Sequence, residues 1–482
     1  MRRIALWAAF LVPLGIYVAS LDGAVAYWDT GEMQVVPWIF GIAHPTGFPA
    51  FTILAGIFAH LFALGPVSWR ITLFCALAMS GAAWFVARAV LEMEGDAFVA
   101  CASAWLFAFG SVTWTRGTRA EVHALAAFFA LGAIAFAVRW RRRAEARALI
   151  ACALFFGLGV ATHPIVALLL PALLVAALAQ FRALGSRTLL GAALAVLLGV
   201  AIYAYLPLRS AQVTANHSDP TLRLGEPPGN AFWDFDHPAS LDGLKLMLSG
   251  SQFGAEGAFA ELMQAQTYAM RAPPYLHMLI DELTPLGLLL ALGGLFALVR
   301  ADRWLAAALI LAVGVPVTFA FGYTIEADIA RYYLISFGVA ALLAGYGAAI
   351  IARELAPLRG AATLLVFALA GALIVENRDT FSQARSQGAR PVIATVREKT
   401  PKNAILIAPW IFATPLAYAA YVEHSLDRRT VQAAWLGDVA ARVPNWQRSR
   451  PIYVVGIVSG SIPGYALVRT AGSPDLFRVA KP

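Results

Sequence analysis

Charged residues and cysteines are scarce in this chain of 482 residues, and each shortage excludes a class of protein. Only 13% of the residues are charged, whereas about 25% is usual for a soluble globular domain, and 60% are hydrophobic. The three cysteines, Cys75, Cys101 and Cys152, all fall inside apolar segments, so we expect neither a disulfide framework nor a cysteine metal cluster. The composition therefore excludes a soluble globular protein and a disulfide-rich secreted one.

Long apolar stretches recur along the chain, with few or no charges inside them. An α-helix needs about 20 such residues to cross ~30 Å of hydrocarbon. The pattern predicts an α-helical polytopic membrane protein with eleven transmembrane helices. The predicted spans are residues 4–21, 70–88, 97–113, 123–138, 148–161, 164–181, 188–206, 279–299, 304–322, 332–352 and 360–376.

The predicted topology depends on one apolar segment, Phe48–Leu64. If this segment lies on the outer surface as a juxtamembrane helix, the inner loops carry fourteen arginines and the short outer loops carry four. If it crosses the membrane, the numbers become six inside and twelve outside, against the rule that positive residues remain in the cytoplasm. We therefore predict an outer juxtamembrane helix. The net charge of +8 is then a topology signal, and we expect no nucleic-acid partner.

The C-terminal part of the chain differs in composition from the rest. It reads as one amphipathic helix over residues 414–426 and as short strands over residues 404–408, 430–435, 452–459 and 466–470. This alternation predicts a small α/β domain, and the odd number of spans places it outside the cytoplasm. We therefore predict two domains, a transmembrane catalytic domain over residues 1–376 and an extracytoplasmic α/β domain over residues 377–482.

The densest set of polar residues at a predicted membrane surface follows the first span. It consists of Trp28–Glu32 and Ala43–Pro49, which contain Asp29, Glu32 and His44. Ionisable groups near hydrocarbon are costly, so a set of this kind indicates a functional site. Asp29 and Glu32 are three residues apart and would share one face of a helical turn. That spacing fits a helix cap equally well, with Asp29 at the N-cap and Glu32 at N3.

Further ionisable residues lie in other predicted outer loops. Arg116 and Arg119 lie with Glu121 in one tight turn, and Arg209 ends the seventh span. The guanidinium fork of arginine matches phosphate oxygens, so these residues are candidates for binding a lipid phosphate. The alternatives are an ion-pair network that closes the short turn and, for Arg209, an interface anchor that reaches lipid headgroups.

Two histidines, His44 and His163, each precede a proline at the predicted outer surface. An imidazole can exchange a proton near neutral pH or donate a hydrogen bond to a phosphate, which makes both candidates for substrate binding. A lone histidine in such a place is also commonly a hydrogen-bonded structural residue. The sequence leaves both interpretations open.

Taken together, these motifs resemble the GT-C glycosyltransferases. Within that superfamily they are most similar to the transmembrane O-mannosyltransferase group, formerly a family of unknown function and related to the dolichyl-phosphate-mannose protein mannosyltransferases. The resemblance covers residues 1–260 well and the remainder loosely. It rests on Trp28–Glu32, Gly41–Pro49, Ala120–His123, Tyr205–Arg209 and Gln252–Gly254. His123 departs from the group, in which an aromatic residue such as tyrosine is common at that position.

The resemblance implies a GT-C fold and transfer of a sugar, mannose in this group, from a polyprenyl-phosphate carrier to a protein Ser or Thr or to a glycan. It implies that Asp29 is the catalytic base and that Glu32 assists it. We favour transfer without a divalent metal ion. The implied location is a bacterial inner membrane, with the active site on the periplasmic side. The residues implied in binding the substrate or the lipid phosphate are His44, Arg116, Arg119, Glu121, His163 and Arg209.

Three other functions compete with this interpretation. A transporter or flippase would place ionisable residues near the midplane of several spans and would show repeated halves, whereas the charges here lie near one surface. A membrane assembly scaffold without catalysis would let Asp29 and Glu32 vary without loss of function. A GT-C enzyme that modifies a lipid or a glycan differs from the first interpretation only in its acceptor.

Overall fold

Helices dominate the computed structural model, which describes residues 2–93, 95–251, 258–323, 328–355, 357, 359–456, 458 and 460–481. The α-helices in chain order are α1 (Arg2–Ala19), α2 (Trp28–Ile39), α3 (Pro49–Leu61), α4 (Val67–Glu92), α5 (Ala97–Ala108), α6 (Ser111–Gly117), α7 (Val122–Arg143), α8 (Ala146–Thr162), α9 (Leu170–Leu178), α10 (Ser186–Val200), α11 (Tyr205–Ala215), α12 (Leu241–Ser249), α13 (Ala258–Leu262), α14 (Ala265–Ala301), α15 (Arg303–Gly322), α16 (Leu334–Glu354), α17 (Arg359–Glu376), α18 (Arg390–Lys399), α19 (Trp410–Ala417) and α20 (Val443–Trp446).

Every predicted span contains a helix, but the helices differ in their ability to cross a membrane. Ala146–Thr162 and Pro164–Leu178 are shorter apolar helices, and α5 and α6 form one apolar pair bent by 78°. A second pair, Gly360–Glu376 with Arg378–Lys399, is bent by 44°, and the two pairs together raise the number of candidate spans among the described residues from seven to nine. The polytopic helical class is confirmed, whereas the number eleven stays a prediction. The seven helices among the described residues that are long and apolar enough to be candidates by themselves are Arg2–Ala19, Val67–Glu92, Val122–Arg143, Ser186–Ala215, Ala265–Ala301, Arg303–Gly322 and Ile329–Glu354.

The segment predicted as a juxtamembrane helix is helical. α3 begins at Pro49, which can take the first helical position because its missing N–H would have no partner there. The helix has 13 residues and is therefore about 20 Å long, well short of the ~30 Å hydrocarbon core. Its length agrees with a surface position, which stays a prediction.

The chain folds into two compact units, and both are discontinuous in sequence. The first unit comprises Met1–Leu21, Cys75–Tyr203 and Gly250–Gln383, and it holds most of the long apolar helices. The second comprises Asp22–Phe74, Ala204–Ser249 and Ala384–Pro482, so it joins the C-terminal segment to two of the predicted outer loops. The division predicted at residue 376 stays a prediction.

Buried polar and small residues fix the helices of the first unit. A Cβ atom on Gly294 of α14 would meet the carbonyl oxygen of Leu343 in α16 at 2.1 Å, so the two backbones approach in a way that only glycine allows. Glu282, also in α14, is buried and accepts hydrogen bonds from the backbone N–H groups of Val112 and Thr113 and, at 2.8 Å, from the Thr113 hydroxyl. Glu282 therefore satisfies the free N–H groups at the start of α6.

A five-stranded sheet in the second unit confirms the predicted C-terminal α/β fold. The strand order is β2-β1-β3-β5-β4, with β1 parallel to β2 and β3, and with β5 antiparallel to β3 and β4. β5 was not predicted, and the predicted helix over 414–426 begins four residues earlier, as α19. The strands are β1 (Ile405–Ala408), β2 (Thr430–Ala433), β3 (Ile452–Val455), β4 (Ala466–Gly472) and β5 (Asp475–Ala480).

Candidate functional site

Asp29, Glu32 and His44 come together in the second unit. One ligand atom from each of the three side chains lies within 4.8 Å of those of the other two. Glu32 is fully buried, and its carboxylate accepts the backbone N–H of His44 at 2.8 Å and contacts Nδ1 of the same residue. Asp29 is half-buried. The N-cap of α2 is Tyr27, so Asp29 stands inside the first turn and does not have the capping position that its spacing had left open.

Two polar anchors hold the helix that carries the acidic pair. The Gln34 side chain donates to the carbonyl of Ala24 at 2.8 Å and accepts from the N–H of Ala26 at 2.9 Å, which ties α2 to the chain that precedes it. At the other end, Arg209 donates to the carbonyls of Phe40 at 2.6 Å and Ile39 at 3.1 Å. These carbonyls end the helix, where a cation is favourable.

Arg209 therefore supports the helix on which Asp29 and Glu32 stand. The same guanidinium also donates a hydrogen bond to the side-chain oxygen of Gln212 at 2.6 Å. These contacts favour a structural role for Arg209, and the predicted contact with a lipid phosphate stays a prediction. The sequence could show a positive charge at the end of the seventh span, but not the carbonyls that it would meet.

Trp410, which the sequence analysis did not select, reaches the acidic pair from the C-terminal segment. Its indole N–H donates to Oδ1 of Asp29 at 3.2 Å. Its ring stacks on Phe232 with centroids 5.2 Å apart and planes 2° apart, and it meets the edge of Phe235 at 6.2 Å. No motif marked Trp410, because it is 381 residues from Asp29 in sequence.

The donor set of Asp29, Glu32 and His44 could hold a divalent metal ion. Two carboxylates and one imidazole form a mixed oxygen and nitrogen set that suits Zn²⁺ or Mn²⁺. The same three groups could equally move a proton, because an imidazole beside a carboxylate is the usual arrangement of a general base and its orienting partner. The chemistry of the donors alone admits both.

A second acidic motif, Asp234-Phe235-Asp236, lies in the loop that carries Phe232. Asp234 is buried and contacts Nδ1 of His237 at 2.8 Å, and the Ser210 hydroxyl contacts the same ring nitrogen at 3.1 Å. A Ser-His-Asp catalytic triad needs the two partners on opposite ring nitrogens, so this set is not a hydrolytic triad. It attaches the loop to α11.

A cluster of charged residues, the cationic cluster, forms in the first unit around Arg116. The Arg116 guanidinium contacts Asp328 and lies 3.3 Å from Glu121, which in turn contacts Nδ1 of His123 at 2.7 Å. Burial raises the pKa of the Glu121 carboxyl. The neighbouring His123, Arg331 and Arg116 lower it by more, so this pKa lies well below its usual range. The ion-pair network predicted for this turn is present.

His123 and Arg116 each keep an uncommitted nitrogen inside this cluster. Nε2 of His123 and Nε of Arg116 are buried, and neither has a hydrogen-bond partner among the described residues. The His123 ring lies 4.4 Å from the ring of His163, whose Nδ1 accepts the N–H of Ile165 at 3.1 Å. Buried donors of this kind are costly unless a ligand completes them. Arg119 is half-buried in the same turn.

The predicted site residues thus fall into two sets. Asp29, Glu32, His44 and Arg209 lie in the second unit, and Arg116, Arg119, Glu121 and His163 lie in the first. His123, which departs from the aromatic residue common in the group, lies in the cationic cluster. The motif Gln252–Gly254, part of the resemblance, lies outside the described residues.

Comparisons with known proteins agree with the motifs. Residues 29–184 match the family model described as the protein O-mannosyl-transferase TMEM260 N-terminal domain. The chain is 26% identical over 369 residues to protein O-mannosyl-transferase TMEM260 of Mus musculus, covering 72% of this chain and 50% of that protein. It is 31% identical over 112 residues to the Dictyostelium discoideum protein of the same name, covering 23% of this chain and 14% of that protein. The chain spans about half the length of the mouse relative.

Solved structures share the fold over nearly the whole chain. The crystal structure of ArnT from Cupriavidus metallidurans in the apo state has a TM-score of 0.56 at 13% identity, covering 98% of this chain and 97% of that one. The same protein bound to undecaprenyl phosphate has a TM-score of 0.53 at 12% identity, with the same coverage. The GT-C fold and the resemblance to the O-mannosyltransferase group are both confirmed.

Proposed function

We propose that this chain is a membrane glycosyltransferase that transfers a sugar from a polyprenyl-phosphate carrier to a hydroxyl acceptor, with Asp29 as the base. The observation that carries the proposal is the convergence of Asp29, Glu32 and His44 within the stretch that matches the O-mannosyl-transferase family model. The name of the relatives, protein O-mannosyl-transferase, supports mannose as the sugar. The undecaprenyl phosphate bound to a protein of the same fold supports a polyprenyl-phosphate donor.

Asp29, Glu32 and His44 form the acidic cluster, which has the geometry to activate a hydroxyl. The acceptor oxygen attacks C1 of the sugar, the bond from C1 to the phosphate oxygen breaks, and the phosphate leaves with the bonding electrons. The hydroxyl proton passes to the Asp29 carboxylate, which is half-buried and so open to a substrate. Glu32 is fully buried and fixes His44 from two sides, so its role is to hold the site in place.

The cationic cluster of the first unit has the chemistry to bind a phosphate. Arg116 has two acidic partners, but its Nε has no hydrogen-bond partner among the described residues. Nε2 of His123 offers a second such nitrogen. Hydrogen bonds from charged donors to phosphate are among the stronger ones in proteins. Arg119 and His163 are the further candidates, and Arg209 is a weaker one because of its contacts with the end of α2.

The acceptor and the location belong to the same proposal. The name of the relatives supports a protein acceptor, and transfer to the hydroxyl of Ser or Thr fits a carboxylate base. We infer from the arginine distribution that the acidic cluster and the sheet lie on the outer side of a bacterial inner membrane. A transporter is the weaker proposal, because the charged clusters described here lie at helix ends and in loops.

The test is transfer by the purified chain, reconstituted in lipid, from radiolabelled polyprenyl-phosphate mannose to Ser/Thr peptides. We expect transfer by the natural chain and a loss of about 10²–10⁴-fold in Asp29→Asn, since Asn cannot accept the proton. Asp22→Asn is the matched control, because Asp22 belongs to the same loop and its side chain accepts the local N–H of Ala24 at 3.2 Å. Full transfer by Asp29→Asn would refute the assignment of the base.

Two further outcomes would redirect the proposal. Movement of the labelled donor across the bilayer without transfer to any peptide, lipid or glycan would make the chain a flippase. Transfer that is abolished by EDTA and restored by Mn²⁺ or Zn²⁺ would assign Asp29, Glu32 and His44 to a metal site and not to proton transfer. We expect EDTA to leave the rate unchanged.

A further inference from the structure

Trp410 belongs to a part of the chain that the family model does not cover, yet its side chain contacts the proposed base. The family model ends at residue 184, and Trp410 stands in the C-terminal segment of the second unit. An indole N–H can only donate, so Oδ1 of Asp29 accepts in this 3.2 Å contact. A base has to be held within reach of the proton that it takes.

The sheet fixes where Trp410 stands. β1 is fully buried and is hydrogen-bonded to parallel strands on both sides, so its position in the sheet is fixed. Only Pro409 separates its carboxyl end from Trp410, and Pro409 is the N-cap of α19. α19 also packs closely on α2, since a Cβ atom on Gly31 would meet the Thr414 hydroxyl at 2.8 Å.

A second segment fixes the orientation of the indole ring. Phe232 is 1% exposed and stacks on Trp410 with nearly parallel planes. Its backbone has φ +74°, a strained conformation for a residue other than glycine, and such strain persists where the surroundings enforce it. Its carbonyl oxygen accepts the N–H of Ile42, and a Cβ atom on Gly41 would meet that oxygen at 1.9 Å. Only glycine at position 41 allows this approach, two residues before the Ala43-His44 step of the acidic cluster.

We propose that Trp410 is a positioning residue for Asp29: its indole N–H holds the carboxylate by Oδ1 in the orientation that the base needs, and the stack on Phe232 holds the indole. The inference rests on the proposed role of Asp29 as the base. It also gives the C-terminal sheet a function in the reaction, because β1 delivers Trp410 to the carboxylate. Three distant parts of the chain therefore meet in sequence, Phe232 on Trp410 and Trp410 on Asp29.

The experiment measures kcat/KM for transfer against pH in Trp410→Phe, with the full chain in lipid. Phenylalanine keeps a ring for the stack on Phe232 and loses only the N–H. A lost donor disfavours the ionised carboxylate, so more alkaline solution is needed to ionise it. We expect the acid limb of the profile to move up by about one pH unit, the equivalent of one hydrogen bond to a charged group. KM for the donor should stay within about twofold, because the phosphate contacts are unchanged.

Two more variants separate positioning from a general loss of structure. Phe232→Leu keeps the indole and removes the stack, and we expect the limb to move in the same direction by a smaller amount. Trp435→Phe, at an exposed tryptophan of the same unit, is the matched control and should leave the limb in place. The inference is overturned if the acid limb stays in place in Trp410→Phe and also in Phe232→Leu, whatever rate of transfer each variant keeps.

The same series distinguishes this inference from the proposal on which it rests. An inactive Asp29→Asn together with an unmoved limb in Trp410→Phe removes Trp410 from the mechanism and leaves Asp29 as the base. Full transfer by Asp29→Asn overturns both, since there is then no base for Trp410 to position. If Trp410→Phe does not fold, as judged by its thermal midpoint, Phe232→Leu alone decides the question by the direction of its shift.

Discussion

The acidic cluster of the second unit and the cationic cluster of the first unit are built in different ways. The cationic cluster takes Arg116, Glu121 and His123 from one short stretch of sequence, and all three side chains are nearly buried. The acidic cluster combines a fully buried Glu32 with a half-buried Asp29 and is supported by segments that are far apart in sequence. The cationic cluster is therefore closed, whereas the acidic cluster is open at Asp29.

This difference indicates a division of roles. A closed cluster of paired charges is rigid before any ligand arrives, which is what the binding of a phosphate requires. A half-buried carboxylate held by donors from other segments can meet a second substrate, which is what a base requires. The three predictions below test whether the two clusters differ in this way, and they run from the largest expected effect to the smallest.

The rigidity of the cationic cluster should depend on Glu282, which caps the helix that carries Arg116. Glu282→Ala leaves the N–H groups of Val112 and Thr113 and the Thr113 hydroxyl without their acceptor. We expect a loss of about 3 kcal/mol in the free energy of unfolding, visible as a lower thermal midpoint in detergent. Asp281→Ala, at the exposed neighbouring position, is the control. Equal midpoints for the two variants would show that the cap does not hold α6.

Donor binding should separate the two arginines that the sequence made equal candidates. Arg116→Ala removes a charged donor from the cationic cluster, and we expect the affinity for polyprenyl phosphate to fall at least about tenfold. Arg209→Ala should keep the affinity within about twofold and lower the thermal midpoint, because its guanidinium caps α2. Calorimetric titration of the two purified variants measures this. A larger loss of affinity in Arg209→Ala would move the phosphate site to the second unit.

The sequence was sufficient for the fold class and for the residues of the acidic cluster. Long apolar stretches identify helices in lipid because the bilayer requires them, and Asp29, Glu32 and His44 stood out because charges at its surface are rare. Neither argument counts spans reliably: α5 and α6 bend by 78° at Phe109–Gly110, and the helix after Ala146 is short. β5 was missed because Asp475–Ala480 is short and Arg478 interrupts its apolar residues.

The contacts between distant segments could not be predicted. Trp410 and Phe232 are ordinary aromatic residues by composition, and only the folded chain shows that one donates to Asp29 and the other fixes its ring. For Arg209, the residue type was suggestive of phosphate, but the available carbonyls of Phe40 and Ile39 lie 169 and 170 residues away. Pairings over such separations depend on tertiary packing, which local periodicity does not encode.

The smallest expected effect is on the pH dependence of stability, and it comes from buried carboxyls in the loop that carries Phe232. Asp219 is 1% exposed and accepts from the N–H of Thr221 at 2.9 Å, and burial raises the pKa of its carboxyl. Burial also raises the pKa of Asp234 and of Glu226, and the charge of Asp219 adds to both shifts. Since these groups keep their protons to higher pH when folded than when unfolded, the folded loop binds more protons above about pH 4. Stability from these groups is therefore complete at low pH and is lost as the pH rises through the folded pKa values.

Asp219→Asn should reduce that loss, because it removes one of the charges and leaves a residue that caps a helix about as well. We expect the thermal midpoint to fall less between an acidic and a neutral pH in the variant than in the natural chain. Asp242→Asn is the matched control, since that side chain is almost fully exposed and its charge meets water in both states. The transfer rate is measured at the same two pH values, because Phe232 stands in this loop and holds Trp410. If the second unit is held together by distant contacts, a more stable loop should leave the rate of transfer intact at pH 7. An unchanged pH dependence of the midpoint in Asp219→Asn would show that the loop does not limit the stability of the second unit.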